Sequence, residues 1–228
     1  MTRRSRFVVL GALVAAGVAI PALLFVARHP RWWEWIAPEQ VPMTWFQSVT
    51  LVVAGVVSLT AWYLCRLLGH APRAGLALLA LGFAALAFDE RFAIHERIRD
   101  GVLAPRDISL PLLTWIAPGD FILLLVAIVG LLVLPTVLRC LRGDRWALGL
   151  FVVGVLLALV SVATDSIDPG TWSVQAERVQ QSLEECIELW AGLAFLGALT
   201  CRLLGLLAEV AAPRRRGAFA RLHPPGAA

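Results

Sequence analysis

Two groups of ionisable residues interrupt an otherwise oily chain. Asp89, Glu90, His95 and Glu96 follow the apolar run AGLALLALGFAALAF (74–88), and Glu184, Glu185 and Glu188 open another apolar run that continues to about residue 210. Carboxylates with one imidazole form a hard donor set that suits Zn, Mn, Fe, Mg or Ca rather than copper. A cation held with one position open can activate a water for hydrolysis. The metal-ligating candidates are therefore Asp89, Glu90, His95, Asp165, Glu184 and Glu188. His95, Glu96 and Glu185 are the candidates for catalytic proton transfer.

Helical spacing limits which of these groups can meet. Asp89 and Glu96, seven apart, share one stripe, and Glu90 with Arg97 forms a second stripe turned by about 100°. His95 falls on neither and can join Asp89 only where the helix loosens near its end. Glu184 and Glu188 are i, i+4, Glu185 and Glu188 are i, i+3, and Gln181 lies one turn earlier. Counted at about 1.5 Å per residue, Asp89 stands about 24 Å above Arg73 and Glu188 about 21 Å from Arg202, so the two groups share a level. His95, about 33 Å from Arg73, lies nearer the surface. Ionisable groups at membrane depth cost at least about 2–3 kcal/mol and face a partner or a water-filled cavity. Asp165 ends an apolar run on the same side, with the turn Asp168-Pro169-Gly170 above it.

Several known metal and nucleotide patterns are absent. The Glu-x-x-His pair of bundle di-iron proteins is missing, since Glu90 and His95 are i, i+5 and Glu185-x-x-Glu188 carries no histidine. Neither HExxH, a P-loop nor a GxSxG elbow occurs.

The elements that position these groups are helices in a bilayer. The chain has 228 residues, of which 59% are hydrophobic and 16% charged, and a mean hydropathy of +0.78. Apolar runs near 7–27, 44–68, 73–95, 112–138, 146–165 and 182–210 approach or exceed the roughly 18–20 residues that cross a bilayer. The expected fold is all-α: a polytopic membrane bundle of about six transmembrane helices over residues 1–212, with a short basic tail at 213–228. The first run is about twice as long as a signal-peptide core, and Ala27-Arg28-His29-Pro30 is a poor cleavage site, so it is expected to remain as a span.

Charge sets the expected orientation. All 20 basic residues are arginine, a composition that points to a GC-rich bacterial coding background. Thirteen of them flank one set of helix ends, which the positive-inside rule assigns to the cytoplasm together with both termini. The expected location is the bacterial inner membrane. Arg214-Arg215-Arg216 reads as a topology and anionic-lipid anchor. Apart from Asp144 and Glu209, the acids fall on the opposite side, which is read as the working face. The formal net charge of +4 does not imply nucleic acid, because the arginines lie in short juxtamembrane loops.

The remaining features are bland. Trp32, Trp33, Trp35 and Trp45, interrupted by Pro38 and Pro42, read as an aromatic belt or a lipid-substrate entrance. Asp120, after Pro118-Gly119, is expected to cap a helix. Cys65, Cys140, Cys186 and Cys201 read as small packing residues with no disulfide between them.

The combined pattern, Asp89-Glu90-x4-His95-Glu96 at one helix end and Glu184-Glu185-x-x-Glu188 at another helix start, resembles a group of uncharacterised bacterial multi-pass membrane proteins. It also looks superficially like membrane hydrolases of the alkaline-ceramidase type. That resemblance would imply a zinc site near one membrane face, although those enzymes use several histidines, including a His-x-x-x-His pair, and here only His95 is placed to serve.

Three functions suit these residues. The first is a divalent-metal site (Zn, Mn or Fe) serving hydrolysis of a lipid or other membrane-associated substrate. The second is proton- or cation-coupled transport through the acids. The third is a structural or accessory protein in which Arg91, Arg97, Arg99, Arg106 and Arg178 neutralise the acids. Membrane lipids are the expected partners in each, and nucleic acid in none.

Overall fold

A computed structural model describes residues 3–108, 110, 121–165 and 172–211, and every regular element among them is helical. The long helices are α1 (Arg3–Ala27), α2 (Pro42–Leu67), α3 (Ala74–Phe92), α5 (Phe121–Leu141), α6 (Arg145–Asp165) and α7 (Val174–Ala211), and a short α4 (Ile94–Ile98) follows α3. A 3-10 turn, Trp32–Trp35, lies between α1 and α2. Asp120, Asp168, the 112–120 stretch and Arg214 to Arg216 lie outside the described residues.

Local signals account for the helix starts. Pro42 occupies the first turn of α2, where its missing N–H costs no helical bond. Asp144 caps α6 by accepting from the N–H groups of Trp146 at 3.0 Å and Ala147 at 3.3 Å. The Ser173 hydroxyl accepts from Ala176 N–H at 3.2 Å and starts α7. That cap begins the last helix eight residues before the apolar run at 182, so residues 174–181 ahead of that run are helical as well.

Five helices, α1, α2, α5, α6 and α7, are long and apolar enough to cross a bilayer. The exception among the six expected spans is α3, with 19 residues and with Asp89, Glu90 and Arg91 close to its C-terminal end. Its place in the bundle is nonetheless secured by small residues and hydroxyls. The Ser48 hydroxyl donates to Ala87 O at 2.9 Å and the Ser58 hydroxyl to Leu76 O at 2.8 Å, tying α2 antiparallel to α3 at both ends.

The same economy of size packs α6 and α7. A Cβ on Gly154 would come within 2.7 Å of the Phe195 ring, and that ring lies 5.1 Å from Phe151 and 5.4 Å from Phe83 between centroids. Apolar partners inside a bilayer gain little from leaving lipid, so close backbone approach at small residues supplies the attraction instead. Large side chains such as Leu23, Val26, Leu81 and Leu132 turn outward, while the interior mixes small residues such as Ala54, Ala61, Ala147 and Ala198 with larger ones such as Leu76, Phe83, Leu199 and Leu206.

The bundle is polarised. Arg6 donates to Asp144 at 2.8 Å and His70 pairs with Glu209 at 2.7 Å. These contacts bring the N-terminal end of α1, the α2–α3 and α5–α6 turns and the C-terminal end of α7 to one arginine-rich end. The acidic residues of α3 and α7 lie at the other.

Gly75 is the tightest point between α3 and α5, where an added Cβ would lie 2.7 Å from Val137 Cα and 2.8 Å from Thr136 O. Gly75→Ala is expected to destabilise the protein by about 1–3 kcal/mol, seen as a lower Tm in detergent. Gly82→Ala, whose Cβ would meet open space, should leave Tm unchanged or slightly raised. Equal Tm values for the two variants would show that α3 and α5 do not touch at Gly75.

Candidate metal centre

The helix that carries FDERFAIHE loosens where the spacing requires it. Ala93 adopts the left-handed conformation (φ 47°, ψ 50°) and ends α3, a backbone choice that costs a residue with a Cβ about 1–2 kcal/mol. The break turns the chain back, so that His95 N–H donates to Asp89 Oδ1 at 2.8 Å and the His95 ring meets Asp89 Oδ2 through Nδ1, also at 2.8 Å. An ionised carboxylate only accepts, so the ring proton sits on Nδ1 and Nε2 is left for ligation or proton transfer. Burial alone would lower the His95 pKa, but the hydrogen bond and charge of Asp89 outweigh it and hold the ring above the ordinary histidine value.

One residue after Asp89, Glu90 points toward α7. Carboxylate oxygens of Glu90, Glu185 and Glu188 lie within 4.8 Å of one another. Glu185 is 7% exposed. The Gln47 amide, on the second turn of α2 and 3% exposed, donates through Nε2 to Glu185 O at 2.9 Å and to Glu185 Oε2 at 3.0 Å. It also reaches Glu188 Oε2 at 3.5 Å. The Ser161 hydroxyl of α6 donates to Glu188 Oε1 at 2.7 Å. Four helices, α2, α3, α6 and α7, thus supply one polar knot.

The knot is rich in acceptors. Gln47 Oε1, Glu90 Oε1 and Glu39 Oε2 are buried oxygens without a hydrogen-bond donor. No salt bridge reaches Glu90, Glu185 or Glu188 among the described residues, and three of the arginines at this end are engaged elsewhere. Arg99 binds Glu96 at 3.2 Å and Asp100 at 2.7 Å, Arg106 donates to Val102 O, and Arg178 stacks over Trp33 at 3.9 Å.

Glu39 joins from the segment between α1 and α2. Ile36 and Ala37 are buried just before it, and Trp32 and Trp35 pack against Leu24, Met43, Leu189 and Leu193. The tryptophan stretch is therefore part of the bundle's cover and holds Glu39 over the acidic end. Burial, then repulsion from Glu96, Glu188 and Asp89 against a smaller opposing pull from His95, pushes the Glu39 carboxyl up to about 7.

Of the sequence-derived candidates, Glu90, Glu185 and Glu188 converge, and Asp89 with His95 forms a separate pair. Glu184 accepts from Gln180 Nε2 at 3.1 Å, and the same amide holds Thr164 O. Asp165 is close enough to Glu184 and Glu188 to act on their charge, and Glu96 is tied to Arg99. Sequence reasoning missed Glu39, Gln47 and Ser161. A lone amide and a hydroxyl inside apolar helices were the available signal for the last two; Glu39, 51 positions before Glu90, gave none that spacing could detect.

The profile of a family described as Domain of unknown function (DUF8692) matches residues 7–203, a stretch that includes every residue of this site. No curated protein and no solved structure matches the chain.

Between the ordinary glutamate value of 4.5 and about 7, the folded protein keeps a proton on Glu39 that the unfolded chain has released. Stability should therefore fall as pH rises through this window. Glu39→Gln removes the penalty: its Tm in chelator-treated detergent should exceed that of the parent at pH 8 and match it near pH 4.5. A Tm difference of the same size at both pH values would contradict the placement of Glu39.

Proposed function

The chain belongs to the DUF8692 family, and from that premise we propose that it is a multi-pass inner-membrane protein holding a divalent cation at its acidic end. Six passes place both termini in the cytoplasm, with α3 crossing despite its charged end because α2 and α5 flank it. Glu90, Glu185 and Glu188 are the ligands, and the Gln47 carbonyl oxygen is a neutral neighbour able to complete the shell. Of the six metal candidates this assignment keeps Glu90 and Glu188, leaves out Asp89, His95, Asp165 and Glu184, and adds Glu185, which the sequence had offered for proton transfer.

The observation that carries the reading is the convergence of three carboxylates, one of which, Glu90, keeps a buried oxygen that no donor reaches, with no salt bridge to any of them among the described residues. Like charges at such range repel strongly in a low dielectric, and hydrogen bonds from Gln47 and Ser161 leave most of that charge uncompensated. A divalent ion compensates it, and oxygen donors select Mn, Fe, Zn or Mg over softer metals. The engagement of Arg99, Arg106 and Arg178 elsewhere argues against a purely structural acid–arginine network.

A bound cation of this kind supplies Lewis acidity toward water or a carbonyl. The chain's own contribution is His95, held by Asp89 so that Nε2 can accept a proton. The reaction class that suits this pair is hydrolysis of a lipid or another membrane-associated substrate.

Metal content measured by mass spectrometry on protein purified without chelator tests the proposal. About one ion per chain is expected, and Glu185→Gln and Glu188→Gln should each weaken rebinding of Zn, Mn or Fe by at least about tenfold. Glu34→Gln, whose carboxylate is bound by Arg28 and Arg31, should bind as the parent does. A parent protein that takes up no ion after reconstitution would sink the metal reading and leave protons as the compensating charge, the condition for coupled transport.

A further inference from the structure

We propose that the arginine-rich end of the bundle carries a second binding site, built around Arg202, for one phosphate-type oxyanion, either an anionic lipid headgroup or free phosphate. A cavity of about 380 Å³ opens there, lined by Arg6, Gly143, Asp144, Arg202, Gly205 and Glu209 among others. It is formed by the N-terminal end of α1, the α5–α6 turn and the C-terminal half of α7, remote from the acidic end, and owes nothing to the cation site.

The accounting of donors and acceptors in this cavity comes out uneven. Both acids have donors: Asp144 takes Arg6 on one oxygen and the α6 N–H groups on the other, and Glu209 takes His70. Arg202 does not have a matching acceptor. Its Nε is buried without a hydrogen-bond partner, its Nη2 meets only the Cys65 sulfur at 3.9 Å, and no salt bridge reaches it among the described residues. Buried donors without acceptors are rare in folded proteins and call for a partner. A guanidinium presents its N–H groups as a planar fork that fits two oxygens of a phosphate.

Two glycines keep the approach open. A Cβ on Gly143 would stand 3.6 Å from Arg202 Nη1, and one on Gly205 would stand 3.7 Å from Asp144 Oδ2. A larger side chain at either position would reach into the space. Arg66, Arg73, Arg139, Arg142 and Arg145 lie at the helix ends on the same side of the bundle. This field concentrates anions, and a basic pocket between membrane helices at headgroup level is a known way of binding anionic lipid.

The test uses the full chain in detergent, with native mass spectrometry against phosphatidylglycerol and phosphatidylcholine and calorimetry against inorganic phosphate. One phosphatidylglycerol should be retained in preference to phosphatidylcholine, or one phosphate bound. Arg202→Gln and Gly205→Leu should each weaken that binding by at least about tenfold. Arg142→Gln, an exposed cation outside the cavity, should stay within about twofold. Displacement of the lipid by inorganic phosphate, or phosphate binding alone, would identify free phosphate as sufficient; retention against it would assign the headgroup. Gly205→Leu keeps every charge and decides the matter if Arg202→Gln does not fold. Binding as in the parent in Arg202→Gln, or in Gly205→Leu where the first does not fold, overturns the site, as does the absence of any preference for phosphatidylglycerol together with no phosphate binding.

Discussion

Three carboxylates brought together between apolar helices must find compensating charge, and this demand organises the acidic end. Glu90, Glu185 and Glu188 come from α3 and α7, and each loses water on entering the bundle. Gln47 and Ser161 supply hydrogen bonds from α2 and α6, which is why four helices have to meet at this level. Hydrogen bonds orient the carboxylates but leave their repulsion largely in place. Protons or a cation must supply what those bonds do not, and the proposed function takes the cation.

Bringing those helices close enough is the task of small residues. Gly75 against Val137 and Gly154 against Phe195 set the distances of α3 and α6 from their neighbours, and Ser48 and Ser58 fix the register of α2 on α3. With register fixed, Gln47 falls level with Glu185, parallel along α2 and α7.

Ala93 supplies the other geometric condition. A continuous helix would place His95 about 120° around the axis from Asp89. The left-handed residue spends a little backbone energy, and the Asp89–His95 pair, with its main-chain bond, offsets it. One end of the molecule consequently gathers acids beside a held imidazole, and the other holds a cavity lined by Arg6 and Arg202.

The sequence by itself determined the helical class, the positions of the apolar runs and the short basic turns, because hydrophobic length and charge act locally along the chain. It also marked Glu90, Glu185 and Glu188, whose placement in oily runs is costly wherever the helices go. It could show that His95 would meet Asp89 only through a break in the helix, but not that Ala93 would make one. Only the tertiary structure decided which acids share a centre, that Glu39 is folded over it by the tryptophan segment, that Gln47 and Ser161 hold it, and that the buried Nε of Arg202 has no acceptor among the described residues. Those facts depend on helix rotation and on contacts between residues as far apart as 141 positions, as in Gln47 with Glu188. Periodicity within one helix carries no information about them.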